Sequence, residues 1–128
     1  MLIPVSAPVN GPVIAIVDDD PGVRGSVDSL LRSAGFVGRR FSDGDALLGC
    51  GEEDRIACII TDLHMPGMTG IELQVELARR GWRQPVIVMT AFPTDAAREQ
   101  ALDGGARAFL TKPIDPDALL AAVERAIG

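Results

Sequence analysis

Val13-Ile14-Ala15-Ile16-Val17-Asp18-Asp19-Asp20-Pro21 places a strand, a cluster of acids and a helix start in one short stretch. A continuous apolar run that ends abruptly in acids reads as a strand buried on both faces, as in a parallel sheet. Asp20 followed by Pro21 reads as an N-cap with proline at the first helical position. Strand, acidic turn and helix in immediate succession open an α/β unit.

The pattern returns further along. Ile56-Ala57-Cys58-Ile59-Ile60-Thr61 runs into Asp62, Val86-Ile87-Val88-Met89 into Thr90, and Ala108-Phe109-Leu110-Thr111 into Lys112-Pro113. Ligands of open α/β sheets bind off the carboxyl ends of the strands. An acid pair, a lone acid, a hydroxyl and an ammonium are therefore expected to converge on one sheet edge. Together they suit a phosphoryl group handled with a divalent cation.

Helical segments separate these strands. Val23, Val27, Leu30, Leu31 and Ala34 keep helical spacing, and Gly35 ends that segment. Residues 36–40 form a weaker, more polar strand, expected at an edge. Ser42 and Asp45 suggest a capping box for a short helix through Leu48. A turn-rich loop, Met65-Pro66-Gly67-Met68, leads to Thr69 and Glu72, a second capping box opening a helix over 71–80. Pro85 opens strand four, Thr94 or Asp95 caps a helix reaching Gly104, and residues 106–110 form strand five. Asp115-Pro116 starts the last helix. The expected architecture is α/β: a doubly wound, five-stranded parallel sheet with helices on both faces. Right-handed crossovers and the polar second strand favour the flavodoxin-like order 2-1-3-4-5, which sets strands one and three side by side.

At 128 residues and 47% hydrophobic the chain is one folded domain. Residues 1–11, with Pro4, Pro8 and Asn10-Gly11, are expected to form a loose leader, and residues 12–128 the domain. A net charge of −6 argues against direct nucleic-acid binding by this domain. Cys50 and Cys58 lack metal-ligand spacing and suggest a reducing compartment. No apolar run approaches the ~20 residues of a membrane span, and the start is no signal peptide. The expected location is cytoplasmic.

Three neighbouring carboxylates repel one another, so a cation is expected to join them. Mg²⁺ takes one or two carboxylates, keeps several waters and recruits phosphate oxygens. Lys112 supplies a compact positive charge and Thr90 a hydroxyl donor. Asp62, alone after a central strand and opening a loop, is the candidate nucleophile for an aspartyl phosphate. Each residue also has an ordinary reading. Asp20 caps a helix, Asp18 and Asp19 are solvated strand ends, Asp62 starts a turn, Thr90 is a strand residue and Lys112 an exposed lysine. What favours the set is that each lies at the end of a separate strand. His64, the only histidine, reads as a loop residue, Phe109 as a core aromatic, and Trp82 as packing at a helix end.

The segments Ile16–Pro21, Asp62–Gly70, Val88–Ala91 and Phe109–Pro113 resemble the receiver domain of bacterial two-component response regulators, over about residues 12–127. The likeness is nearest to receivers that precede helix-turn-helix DNA-binding output domains. It implies that Asp62 accepts a phosphoryl group from a histidine kinase or phosphotransfer protein. It further implies Mg²⁺ held by Asp18, Asp19, Asp62 and the His64 backbone carbonyl. Thr90 and Lys112 would bind the phosphoryl group, Ala91 would leave room for it, and the Lys112-Pro113 bond would be cis. Thr90 and Phe109 would be the switch pair, shifting the strand 4–helix 4–strand 5 surface toward an output domain or partner protein. His64 and Phe92 occupy the positions that tune phosphoryl lifetime in the family; neither suits positioning an attacking water, so slow self-dephosphorylation is expected. Homodimerisation on phosphorylation, and an output domain outside these residues, are further expectations. The protein is expected to be a switch that assists only its own phosphorylation and dephosphorylation.

Two other functions compete. A phosphohydrolase with an aspartyl nucleophile would place a second acid where His64 stands. A phosphorylation-independent interaction module with the same fold would not need the intact set of Asp18, Asp19, Asp62, Thr90 and Lys112.

Overall fold

The computed structural model describes residues 11–128. The leader expected over 1–11 therefore lies outside the described residues except for Gly11. The chain alternates β1 (Val13–Val17), α1 (Pro21–Ser33), β2 (Val37–Phe41), α2 (Gly44–Leu48), β3 (Ile56–Asp62), α3 (Gly70–Arg79), β4 (Val86–Thr90), α4 (Asp95–Asp103), β5 (Ala108–Thr111) and α5 (Pro116–Ile127). A 3₁₀ turn at Glu53–Arg55, not anticipated from the sequence, leads into β3. All strand pairs are parallel, in the order β2-β1-β3-β4-β5. This is the expected flavodoxin-like fold.

Alternation along the strands builds two cores. Ile14 and Ile16 of β1, Cys58 and Ile60 of β3, and Ile87 and Met89 of β4 pack with Val27 and Leu31 of α1 and Leu119 and Val123 of α5. Ala15, Val17, Ile59 and Val88 point the other way, against Leu47 of α2, Leu73 and Leu77 of α3 and Ala101 of α4. Each central strand is thus apolar on both faces, which is why its sequence reads as a continuous run. Trp82, just past α3, packs against this second core as expected, and Cys58 is fully buried. That burial pushes the Cys58 thiol pKa up to about 12, so it stays a protonated core residue.

The ends of the elements follow local chemistry. Asp20 caps α1 by accepting from the Gly22 and Val23 N–H groups. Thr69 and Glu72 form the capping box of α3. The box expected from Ser42 and Asp45 does not form. Asp43 caps α2 instead, its carboxylate accepting from Ala46 N–H at 2.8 Å, because α2 begins at Gly44 and a cap must immediately precede the first turn. β2 starts one residue later than expected, since Phe36 turns into the core after Gly35 (φ 91°) ends α1. β5 likewise begins at Ala108 rather than 106.

The edge strand β2 carries one inward feature. Asp28 of α1 is fully buried and accepts from Arg40 Nε at 2.6 Å and Arg32 Nε at 3.0 Å. A Cβ at Gly38 would lie 2.0 Å from Asp28 Oδ1, so only glycine leaves room for this bridge. A buried charge needs such partners to be tolerated.

Candidate functional site

Register brings the candidate residues to one edge. Val17 pairs with Thr61, so Asp18 and Asp62 leave adjacent strands at the same level. Thr90 pairs with Thr111, and Lys112 N–H donates to the Thr90 carbonyl at 2.8 Å. Asp18 and Thr90 are fully buried, Asp62 is nearly so, and Asp19 is exposed at the rim. Lys112 Nζ reaches between the two buried acids, 2.8 Å from Asp18 Oδ2 and 3.3 Å from Asp62 Oδ1. The Lys112–Pro113 peptide is cis.

The electrostatics follow from burial and crowding. Desolvation first, and then the Asp18 charge, raise the Asp62 carboxyl pKa above its usual range; Lys112 and the His64 backbone N–H oppose this without cancelling it. Burial alone would lower the Lys112 ammonium. Its hydrogen bond to Asp18 and the charges of Asp62 and Asp18 outweigh that, so it is held above its usual value and stays charged. One oxygen each from Asp18, Asp19 and Asp62 lie within 4.8 Å of one another. Three acids face a single ammonium, and the excess negative charge on hard oxygen donors suits Mg²⁺ rather than a thiophilic metal.

The surrounding loops shape the mouth. The Thr90 hydroxyl accepts from Phe92 N–H at 3.0 Å, which leaves its own proton free to donate. His64 and Phe92 are both exposed and meet edge to face, ring centres 5.8 Å apart. Phe109 on β5 is half-buried against the core on the α4 side. Thr61 Oγ1 donates to the Asp62 carbonyl at 3.0 Å.

Three residues shape this region without having been singled out from the sequence. At Gly70 a Cβ would lie 2.5 Å from the Asp62 carbonyl oxygen, so glycine is what lets α3 start against the backbone of the acid. Glycine at the first position of a well-capped helix was the available signal. Arg24 Nη1 donates to the Asp18 carbonyl at 2.5 Å. Gln74, buried on α3, donates to the Ala101 carbonyl of α4 at 2.9 Å while its own Oε1 has no protein partner among the described residues. Polar residues on amphipathic helices give no sequence signal of such contacts.

Comparison with known proteins identifies the family and the fold. The family described as response regulator receiver domain matches residues 14–124. The transcriptional regulatory protein FixJ of Azorhizobium caulinodans is 39% identical over 125 residues, covering 98% of this chain and 57% of FixJ. The DNA-binding transcriptional regulator NtrC of Salmonella typhimurium is 35% identical over 115 residues, covering 90% of this chain and 24% of NtrC. The chain thus spans about half of FixJ and a quarter of NtrC. Among solved structures, that titled FixJ-N superposes with a TM-score of 0.83 at 31% identity, covering 92% of this chain and 94% of that one.

Proposed function

The chain belongs to the response regulator receiver family, and from that premise we propose that Asp62 accepts a phosphoryl group in a Mg²⁺-dependent reaction. The observation that carries this reading is the Lys112 ammonium held between Asp18 and Asp62, beside a three-acid cluster. Asp18, Asp19 and Asp62, with the His64 carbonyl, would hold the cation, which when bound neutralises acid repulsion and phosphoryl charge.

In this reading an Asp62 carboxylate oxygen attacks phosphorus of a phosphohistidine. The new O–P bond forms as the P–N bond breaks, and the imidazole leaves and takes up a proton. The raised Asp62 pKa reflects a carboxylate short of solvation and therefore more nucleophilic once ionised. Lys112 then exchanges part of its contact with Asp18 for phosphoryl oxygens. The Thr90 hydroxyl donates to them as well, and the Phe109 ring follows by turning inward. The populations of β4, α4 and β5 shift accordingly.

The phosphoryl donor is a histidine kinase or phosphotransfer protein. An apolar groove of about 530 Å³ beside Lys112, with Val23, Val27, Leu30, Ile114 and Leu119 in its walls, would seat an apolar helix face of that donor. The exposed His64–Phe92 pair offers no carboxylate or amide to orient water, which favours slow self-dephosphorylation. FixJ and NtrC are named as transcriptional regulators. By that likeness the target is a DNA-binding output domain; a cytoplasmic location and a homodimer on phosphorylation belong to the same proposal.

The test is intact mass after incubation with Mg²⁺ and acetyl phosphate, beside Asp62→Asn. One added phosphoryl group in the parent, absent in the variant and abolished by chelator, is the expected result. Equal phosphorylation of the variant would overturn the assignment of Asp62.

A further inference from the structure

Arg24 ties the acidic loop to the helix that follows it. Its guanidinium donates to the Asp18 carbonyl at 2.5 Å, and its backbone N–H donates to the Asp20 carbonyl at 3.0 Å. Within the loop, Asp20 N–H donates to Asp18 Oδ1 at 2.9 Å, and Asp20 Oδ1 accepts from Gly22 N–H at 2.8 Å. The Asp18 carbonyl belongs to the peptide that joins Asp18 to Asp19, two of the three clustered acids. β1 ends at Val17. Beyond it the sheet still fixes the Asp18 N–H, which donates to the Phe41 carbonyl at 3.1 Å. The Asp18 carbonyl, by contrast, is held by an arginine from α1.

A charge-assisted hydrogen bond is roughly twice as strong as a neutral one. Releasing it would let the Asp18–Asp19 peptide rotate and carry the exposed Asp19 carboxylate away from the others. We propose that Arg24 is a positioning residue for the cation: it fixes the Asp18–Asp19 peptide so that both carboxylates face Asp62. The inference rests on the reading that a divalent cation occupies this cluster.

Two effects of Arg24 oppose each other, which makes the sign of the result decisive. Losing a positive charge near three acids would by itself tighten Mg²⁺ binding. Losing the tether would weaken it. The proposal commits to the second, with a size typical of residues that orient metal ligands from behind, about tenfold in Kd.

The experiment is a Mg²⁺ titration followed by amide chemical shifts, on the parent, Arg24→Gln, Arg24→Met and Arg32→Gln. Arg24→Met keeps the aliphatic stem, so its folding is protected if the amide variant is unstable. Arg32→Gln removes the same charge from the same helix, but its partner is Asp28 rather than the acidic loop. Both Arg24 variants are expected to weaken Mg²⁺ about tenfold, with Arg32→Gln within about twofold of the parent. Phosphorylation by acetyl phosphate in the Arg24 variants should return to near the parent rate at saturating Mg²⁺. Unchanged or tighter Mg²⁺ binding in the Arg24 variants, with normal binding in the parent, would overturn the positioning role alone. No saturable shift in the parent would overturn the cation reading and this inference with it.

Discussion

α4 and α5 both lie beside the strand ends that carry Thr90 and Lys112, yet the fold holds them very differently. α5 buries Leu119, Ala122 and Val123 and is capped by Asp115. α4 buries only Ala101, leaves Leu102 38% exposed, and has Ala97 as its other partly covered apolar residue. Hydrophobic stabilisation scales with apolar area removed from water, at about 25 cal/mol per Å². Two helices of similar length therefore differ in what it takes to move them. α5 is part of the scaffold. α4 can be re-seated at low cost, and segments that move in switching come from the low-stability end of a structure. The proposed exit of the phosphoryl signal through α4 follows from this difference.

The largest expected effect sharpens the contrast directly. Leu119 is fully buried, so Leu119→Ala should lower unfolding free energy by about 3 kcal/mol. Leu102→Ala on α4 should cost less than about 1 kcal/mol, because that side chain is only partly covered in the folded state. Urea denaturation checks both. Costs of similar size would remove the difference on which the argument stands.

A smaller effect concerns the acids. The Asp62 pKa is raised, so between the ordinary carboxylate range and that raised value the folded state binds more protons than the unfolded state. Stability therefore falls as pH rises through that window and is relatively improved below it. Asp62→Asn removes the repulsion with Asp18 and should stabilise the protein at pH 7 by about 1 kcal/mol, a few degrees in Tm. Mg²⁺ should narrow or reverse the gap by stabilising the parent more than the variant. Thermal scans at several pH values with and without Mg²⁺ read both.

The smallest expected effect tests how α4 is held. Gln74 joins α3 to the Ala101 carbonyl, which also accepts from Ala106 N–H at 3.0 Å. Among the described residues its own Oε1 lacks a protein partner. Gln74→Met removes one hydrogen bond and one unsatisfied acceptor together, so global stability should change by less than about 1 kcal/mol. The amides of α4 should exchange faster, while those of α5 stay as they were.

Much of this arrangement was legible in the sequence because it depends on periodicity and on where strands end. Apolar runs identified β1, β3 and β4, buried on both faces, and the half-buried edge strand β5, and parallel register carried Asp18, Asp62, Thr90 and Lys112 to one edge. Caps adjacent to a strong helical pattern, Asp20 and Thr69, were also readable. Weak elements were not: α2 is a single turn and a half, and the structure caps it with Asp43 rather than the expected Ser42. The contacts of Arg24, Asp28 and Gln74 were hidden for a different reason. Each is made by a long polar side chain, Arg24 and Gln74 themselves or Arg32 and Arg40 reaching Asp28, whose direction is set by tertiary packing. The space left by Gly38 and Gly70 belongs to the same category, since a missing Cβ has meaning only beside the atom it would strike.

The most direct test of the account compares amide hydrogen exchange of the protein before and after phosphorylation on Asp62 in Mg²⁺. The account predicts altered protection concentrated in residues 90–110, covering the β4–α4 loop, α4 and Phe109, with residues 116–127 of α5 unchanged. Equal change in both helices, or none in α4, would contradict it.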